Sequence, residues 1–212
     1  MSEARKYPRT YHFPWSPGTQ SDDRFLWDYS NFYGKEVVVT EKMDGENTSL
    51  YRDFIHARAL AFTKHPSRTF MSALHDRVRR DIPDGWRVCG ENIAAVHSIK
   101  YDDLESFFMV FSIWNEKNEA LSWDETVEWC GLLDLQHVPV LWRGMWDEDK
   151  IKEISDGIDT TKQEGFVCRL ASSFTYKDFA ISAAKWVRAK HVQTDEHWLN
   201  KPVEFNGFSE RK

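Results

Sequence analysis

The segment Glu41-Lys42-Met43-Asp44-Gly45-Glu46-Asn47-Thr48 places a lysine two residues before an aspartate-glycine turn. A lysine amine is protonated at neutral pH, with a reference pKa of about 10.4, so it acts as a nucleophile only where burial or nearby positive charge removes that proton. Taken singly, the tetrapeptide Lys-x-Asp-Gly is weak evidence and reads first as an ordinary hairpin turn bearing a surface lysine. Further residues of matching chemistry follow in order: Arg58 in HARAL, Gly90-Glu91 in VCGENI, Phe108 and Phe111 in FMVFSI, Glu164 in EGFVCRL, and Arg188 and Lys190 in WVRAKH. Glu91 and Glu164 offer the oxygen ligands that magnesium prefers. Phe108 offers a base its π-face, and the cations suit a triphosphate and its pyrophosphate leaving group, since phosphoryl transfer depends on positioning and charge stabilisation.

Positioning these residues requires strands near most of them. Strand patterns run over 37–42 and 48–53, joined by the turn formers Asp44 to Asn47 as a hairpin-like unit. Helical spacing of Phe70, Met71, Leu74 and Val78 predicts a helix over about 67–80, with Ser67 as its cap and Arg77, Arg79 and Arg80 facing solvent or ligand. Strands are expected at 86–93, 107–114, 138–144 and 164–170, and helices at 123–135 and 145–158, with Asp147 near the start of the latter. The stretch 181–192 is ambiguous between helix and strand. Strands interspersed with helices at hairpin-type spacing predict an α+β fold with mainly antiparallel sheets.

At 212 residues, with 41% hydrophobic and 29% charged residues, the chain is expected to form one domain, 1–212, with an irregular proline-rich lead-in over 1–34 and a short tail over 191–212. No apolar run is long enough for a membrane span and the N-terminus lacks a secretory signal, so a cytoplasmic protein without membrane partners is expected. Cys89, Cys130 and Cys168 read as reduced thiols, the histidines lack zinc-site spacing, and most of the ten tryptophans read as structural. The net charge of -6 argues at first against a polyanionic partner, yet the acidity is local. Residues 1–80 carry 13 Lys+Arg against 10 Asp+Glu, residues 81–162 carry 7 against 18, and residues 163–212 carry 8 against 6. Two basic ends meeting around a polyanion and a merely solvated acidic face are both compatible with this distribution.

The ordered elements together resemble the covalent nucleotidyltransferases, and within them the ATP-dependent RNA ligases of the phage nick-sealing type, over about 41–192. The resemblance implies the catalytic fold shared by DNA ligases, RNA ligases and capping enzymes, with Lys42 attacking the α-phosphate of ATP to give a lysyl-AMP. It implies nucleotide contacts from Glu41, Lys42, Asp44, Gly45, Asn47, Arg58, Glu91, Phe108, Glu164, Arg188 and Lys190. Arg58 would lie near the ribose and substrate end, Glu91 at the ribose, and Phe108, the first Phe of Phe-x-x-Phe, on adenine. Glu164, with Glu91, would hold Mg2+ or Mn2+. Lys190, Arg188 and the metal ion would favour the free amine of Lys42. Ser112 stands where the family has aspartate, and Arg169 and Arg188 where lysine is common; arginine keeps the charge but changes a point ammonium into a planar fork. Lys185 is the rival of Lys190 for the last element, and spacing favours Lys190.

DNA ligases and capping enzymes carry an oligonucleotide-binding barrel after the last motif, whereas 22 residues follow Lys190. A stand-alone adenylyltransferase domain is therefore expected, acting in RNA repair on RNA ends or nicks that present a 5′-phosphate and a 3′-hydroxyl, with an RNA-binding protein as a possible partner. A non-catalytic nucleotide or RNA-end binding module, or a DNA-joining or other nucleotidyltransferase, is the alternative. The lead-in could cover ATP phosphates or the RNA end through Arg9 and His12, and the tail could cap the domain or touch substrate.

Overall fold

Val37, Val38 and Val39 are all fully buried, the pattern of a strand covered on both faces. They lie inside a sheet of the computed structural model, which describes residues 3–60, 65–189 and 203–209. In chain order the elements are β1 (Tyr11–His12), β2 (Glu36–Glu41), β3 (Glu46–Tyr51), β4 (Ile55–Ala57), α1 (Thr69–Val78), β5 (Arg87–Asn92), β6 (Phe108–Trp114), β7 (Glu119–Ala120) and α2 (Trp123–Leu132). There follow β8 (Gln136–His137), β9 (Val140–Met145), α3 (Glu148–Gly157), β10 (Gly165–Leu170), β11 (Phe174–Thr175), α4 (Phe179–Ser182) and β12 (Ala183–Val187). One sheet runs β1-β12-β10-β2-β9; the other runs β11-β7-β6-β5-β3-β4, with β8 beside β6. Most pairs are antiparallel, as the sequence predicts; β1 with β12 and β6 with β8 are parallel.

The hairpin expected around Asp44 to Asn47 does not form. β2 pairs with β9 and β10, whereas β3 pairs with β4 and β5 in the other sheet. The chain stays in the first sheet as far as Lys42, whose N–H donates to the Gly165 carbonyl at 2.9 Å, then enters the second where Glu46 pairs with Asn92. Turn-forming residues signal a change of direction without specifying which sheet receives the next strand. Gly45 makes the crossing possible: a Cβ there would lie 2.4 Å from the Asn92 carbonyl oxygen.

Helices cover the outer faces because each carries an apolar stripe. Met71, Leu74 and Val78 of α1 and Cys130 of α2 pack with Leu50, Val88, Phe108, Val110 and Ile113 of the second sheet. On the first sheet, Val37, Val39, Phe166, Cys168 and Trp186 pack with Phe13, Leu26 and Phe32 of the lead-in and Ile151 of α3. Ser122 caps α2 through a capping box with Glu125, and Asp147 caps α3 by accepting from Asp149 and Lys150 N–H groups. Ser67 is not the cap expected of it; His65 accepts from its N–H ahead of a short turn, Pro66–Arg68, that leads into α1. Arg77 and Arg79 meet Asp134 and Asp76 on the surface. The ambiguous 181–192 stretch divides: α4 ends at Ser182, β12 occupies 183–187, and residues 190–192 lie outside the described residues.

The lead-in supplies β1, which extends the first sheet alongside β12. In the tail, 203–209 docks on the loop after β5, with Phe205 bridging to Ala95 and Phe208 to Leu104. Asn206, buried, donates to the Ile93 and Ala95 carbonyls and accepts from Tyr101 N–H. The described part of the tail is thus a cap on that loop. Among the described residues the three cysteines are unbridged and buried, and no helix is long and apolar enough to cross a membrane.

Gly45→Ala should cost about 2 kcal/mol, in the range of overpacked interior sites, and lower Tm by roughly 4–8 °C at this chain length, measured by thermal unfolding.

Candidate active site

The face of each sheet that looks toward the other lines a cavity of about 780 Å3. This is within the usual range for small-molecule sites. Across the first sheet one row of paired residues, Thr40, Val167 and Lys185, lines its wall. Across the second, Asn47 and Glu91 are paired and line the opposite wall. Lys42 stands where the chain crosses between them.

Lys42 Nζ lies 2.5 Å from Glu164 Oε2. Burial alone would lower the lysine pKa, but Glu164, Glu91 and Asp44 outweigh it and raise the value, so the side chain rests as an ammonium. Among the described residues the groups that act most strongly on Lys42 are the carboxyl groups of Glu164, Glu91 and Asp44. Glu91 is pushed up to about 8, first by burial and then by Glu164 and Asp44, against the opposing effect of Lys42. Lys185 is brought down to about 8 by burial and next by Lys42. A raised carboxyl, a raised lysine and a lowered lysine thus border one cavity, the pattern of perturbed titration that marks functional sites.

The other end of the cavity is aromatic. Tyr7 packs edge-on to Phe111 at 5.0 Å and Phe179 at 5.4 Å, and the Arg169 guanidinium lies 4.9 Å from the centre of Phe174. Arg169 donates to the Leu121 and Leu170 carbonyls, yet its Nη1 is buried without a partner, as is Asn47 Oδ1. Both residues line the cavity, so each brings it an unmet polar atom. Burial also lowers the Arg169 pKa, to about 10.

Several expected site residues do line the cavity: Glu41, Lys42, Gly45, Asn47, Arg58 and Glu91. Glu164 reaches it through Lys42. Glu41 accepts from Gln163, and burial raises its carboxyl pKa. Phe108 is a correction. It is wholly buried against α1 and α2, beneath Gly90, where a Cβ would lie 2.5 Å from its ring. Residues three apart on a strand point to opposite faces, and Phe111 is the one on the cavity side. Phe111 is also the extra residue of a bulge, since Val110 pairs with Gly90 and Ser112 with Cys89.

Asp44 faces away from the cavity. Its Oδ2 accepts from Ser98 N–H, Ser98 Oγ and Ile99 N–H, and its own N–H donates to the Tyr101 hydroxyl, so it positions the turn. Arg188 donates to Ser98 Oγ at 3.0 Å and is likewise absent from the cavity wall. Lys190 lies outside the described residues. Lys185, ranked below it on spacing, is the cation that β12 delivers to the cavity, and its place between the core residues Ala184 and Trp186 is the alternation signal that marks it. Arg9 lines the cavity while paired to Asp22 at 2.8 Å. His12 does not; it is buried between Ser16 and Asp23.

Among the described residues no group of three or more His, Cys, Asp or Glu side chains could hold a metal ion unaided. Two carboxyl groups do act on Lys42, Glu164 in direct contact and Glu91 through its charge when ionised. That donor set fits a magnesium-like ion that takes one or two carboxylates and completes its shell with water and phosphate oxygens.

The RNA ligase family model matches residues 35–187, a span that begins before β2 and ends with β12. The chain belongs to the RNA ligase family. No curated protein matches the sequence. Among solved structures it is similar to an archaeal ATP-dependent RNA ligase, with 15% identity, TM-score 0.58, and 87% of this chain against 48% of that one covered. An Aquifex aeolicus protein assigned as an ATP-dependent DNA ligase gives 21% identity and TM-score 0.54, covering 86% of this chain and 50% of its own. A mutant Naegleria gruberi RNA ligase with ATP and Mn gives 17% and 0.50, covering 76% and 52%. These likenesses show the nucleotidyltransferase fold of ATP-dependent ligases, and this RNA ligase family chain spans about half the length of each.

Two measurements check the site assignments. Phe108→Ala should cost about 3–5 kcal/mol of stability, whereas Phe111→Ala, on the cavity side, should lower Tm less in thermal unfolding. Glu91 keeps a proton in the folded chain that the unfolded chain has released between about pH 4.5 and 8, so its contribution to stability falls as pH rises through that window. Thermal unfolding of Glu91→Gln should accordingly show a Tm above wild type at pH 8, with the gap narrowing toward pH 4.5.

Proposed function

We propose that the protein is an ATP-dependent RNA ligase whose Lys42 becomes adenylylated. The observation that carries this reading is a partly buried lysine, ion-paired to Glu164 with Glu91 nearby and facing a nucleotide-sized cavity, in a chain of the RNA ligase family. Phe111 and its aromatic neighbours would receive adenine, with Arg169 Nη1 giving the base a donor and Glu41 an acceptor. Asn47 and Glu91 would meet the ribose, and Lys185 and Arg58 the phosphates.

In the first step Lys42 Nζ attacks the α-phosphorus of ATP. A P–N bond forms, the bond from that phosphorus to the α,β-bridging oxygen breaks, and pyrophosphate leaves with the electron pair. The proton that Lys42 must lose has Glu164 Oε2 within 2.5 Å. Glu91 and Glu164 would hold a divalent ion, which supplies positive charge against the triphosphate and against the ammonium form of Lys42. The proposed use of ATP and a divalent metal, Mg2+ or Mn2+, is supported by the Naegleria gruberi neighbour solved with ATP and Mn. The P–N bond then breaks as a 5′-phosphate oxygen of RNA takes up AMP, and Lys42 recovers its proton. Finally an RNA 3′-hydroxyl attacks that 5′-phosphorus, losing its proton as the phosphodiester forms and AMP departs.

Intact-mass spectrometry after incubation with ATP and Mg2+ should show one added AMP on the wild type and none on Lys42→Ala. If protein freed of prior AMP gains no adduct from any nucleoside triphosphate, the reading fails in favour of a nucleotide-binding module. Because Lys42 rests as an ammonium, single-turnover adenylylation should quicken from pH 6.5 upward and level off near pH 8, where Lys185 loses its charge.

A further inference from the structure

Arg9 stands on a wall with two sides. One borders the cavity of Lys42; the other borders a shallower depression of about 400 Å3 that also includes Tyr11, Arg24, Tyr176 and Lys177. These residues come from two distant parts of the chain, the lead-in and the segment joining β11 to α4, brought together because β1 lies along β12. Arg9 is fixed by bonds from Nη1 to the Asp22 carbonyl at 2.6 Å and from Nη2 to Asp22 Oδ2 at 2.8 Å. Arg24 donates to the Tyr11 hydroxyl at 3.2 Å, with its guanidinium 5.9 Å from the ring centre. Tyr176 is fixed by its hydroxyl, which donates to the Lys6 carbonyl at 2.8 Å.

Arg24 and Lys177 are exposed, and neither has an ion-pair partner among the described residues. Of the nearby carboxylates, Asp22 pairs with Arg9 and Asp23 meets His12, while Asp178 accepts from the Thr175 hydroxyl and is not ion-paired to Lys177 or Arg24. In a chain of net charge -6, two exposed cations held without ion-pair partners beside fixed aromatic rings are suited to a polyanion. Cations that track a sugar-phosphate backbone, alternating with rings on which bases stack, are the shared chemistry of single-stranded nucleic acid sites. We propose that this depression binds an RNA strand by its backbone and leads the strand's end past Arg9 to the adenylylated lysine. The proposal deepens the ligase reading and rests on it for the identity of the strand.

The test uses the full chain and a fluorescent single-stranded RNA of about a dozen nucleotides carrying a 5′-phosphate. Arg24→Glu combined with Lys177→Glu is compared with wild type and with Lys150→Glu, a charge reversal on the distant α3. Fluorescence anisotropy should show Kd raised at least tenfold by the double variant alone, with the slope of log Kd against log salt reduced by about two. Its Tm, lysyl-AMP formation and KM for ATP should match wild type, while transfer of AMP to RNA at sub-saturating RNA falls at least tenfold. RNA affinity equal to that of the Lys150→Glu control would overturn the proposal. So would a raised KM for ATP with unchanged RNA affinity, which would assign the patch to the phosphates of the nucleotide. Loss of RNA binding in a protein whose wild type forms no lysyl-AMP would leave the groove standing and remove the ligase reading.

Discussion

An ammonium group can be drawn partly out of water only where a carboxylate meets it at close range, because the desolvation of either charge alone costs several kcal/mol. Lys42 and Glu164 meet this demand at 2.5 Å although 122 positions separate them. The architecture follows from bringing them together. β2 and β10 must be neighbours, and the backbone bond from Lys42 N–H to the Gly165 carbonyl fixes their register beside the pair. Glu91 must then come from another sheet, since β10 already occupies that flank of β2. The crossing at Gly45 is what lets a residue of the second sheet approach a lysine of the first.

The same arrangement accounts for what could be read from the sequence. Lys42, Glu91 and Glu164 are legible because turn glycines and strand patterns mark them locally, and their side chains sit within a residue or two of those marks. The sheet that receives β3 is not legible, because Asp44 to Asn47 have turn chemistry in either case and only contact with Asn92 distinguishes the crossing from a hairpin. Phe108 and Phe111 share a residue type and a strand, so a motif alone leaves both in play. Strand alternation separates them, and the apolar stripes of α1 and α2 determine which face is the core. The choice between Lys185 and Lys190 turned on spacing in a segment that changes from helix to strand at Ala183, where no turn signal marks the boundary. His12 has the chemistry of a ligand contact and is consumed by Ser16 and Asp23.

Asp44 shows how a motif residue can serve a site without entering it. Its carboxylate accepts three hydrogen bonds from residues 98 and 99, and Arg188 joins the same serine. Strain or displacement anywhere in this set would reach Lys42 through the turn, two residues away. The unmet polar atoms of Arg169 and Asn47 stand in contrast. Two of the buried side-chain polar atoms left without a hydrogen-bond partner thus lie on the wall of the cavity.

The loop that receives Asp44 is itself held by residues 203–209, through Asn206 and the bridges at Phe205 and Phe208. During synthesis the ribosome delivers the strand that ends beside Lys42 before this clasp. A nascent chain therefore carries Lys42 through the synthesis of every element from β3 to β12 without the segment that anchors its turn. Assembly of the site waits on that segment and is ordered by the direction of translation.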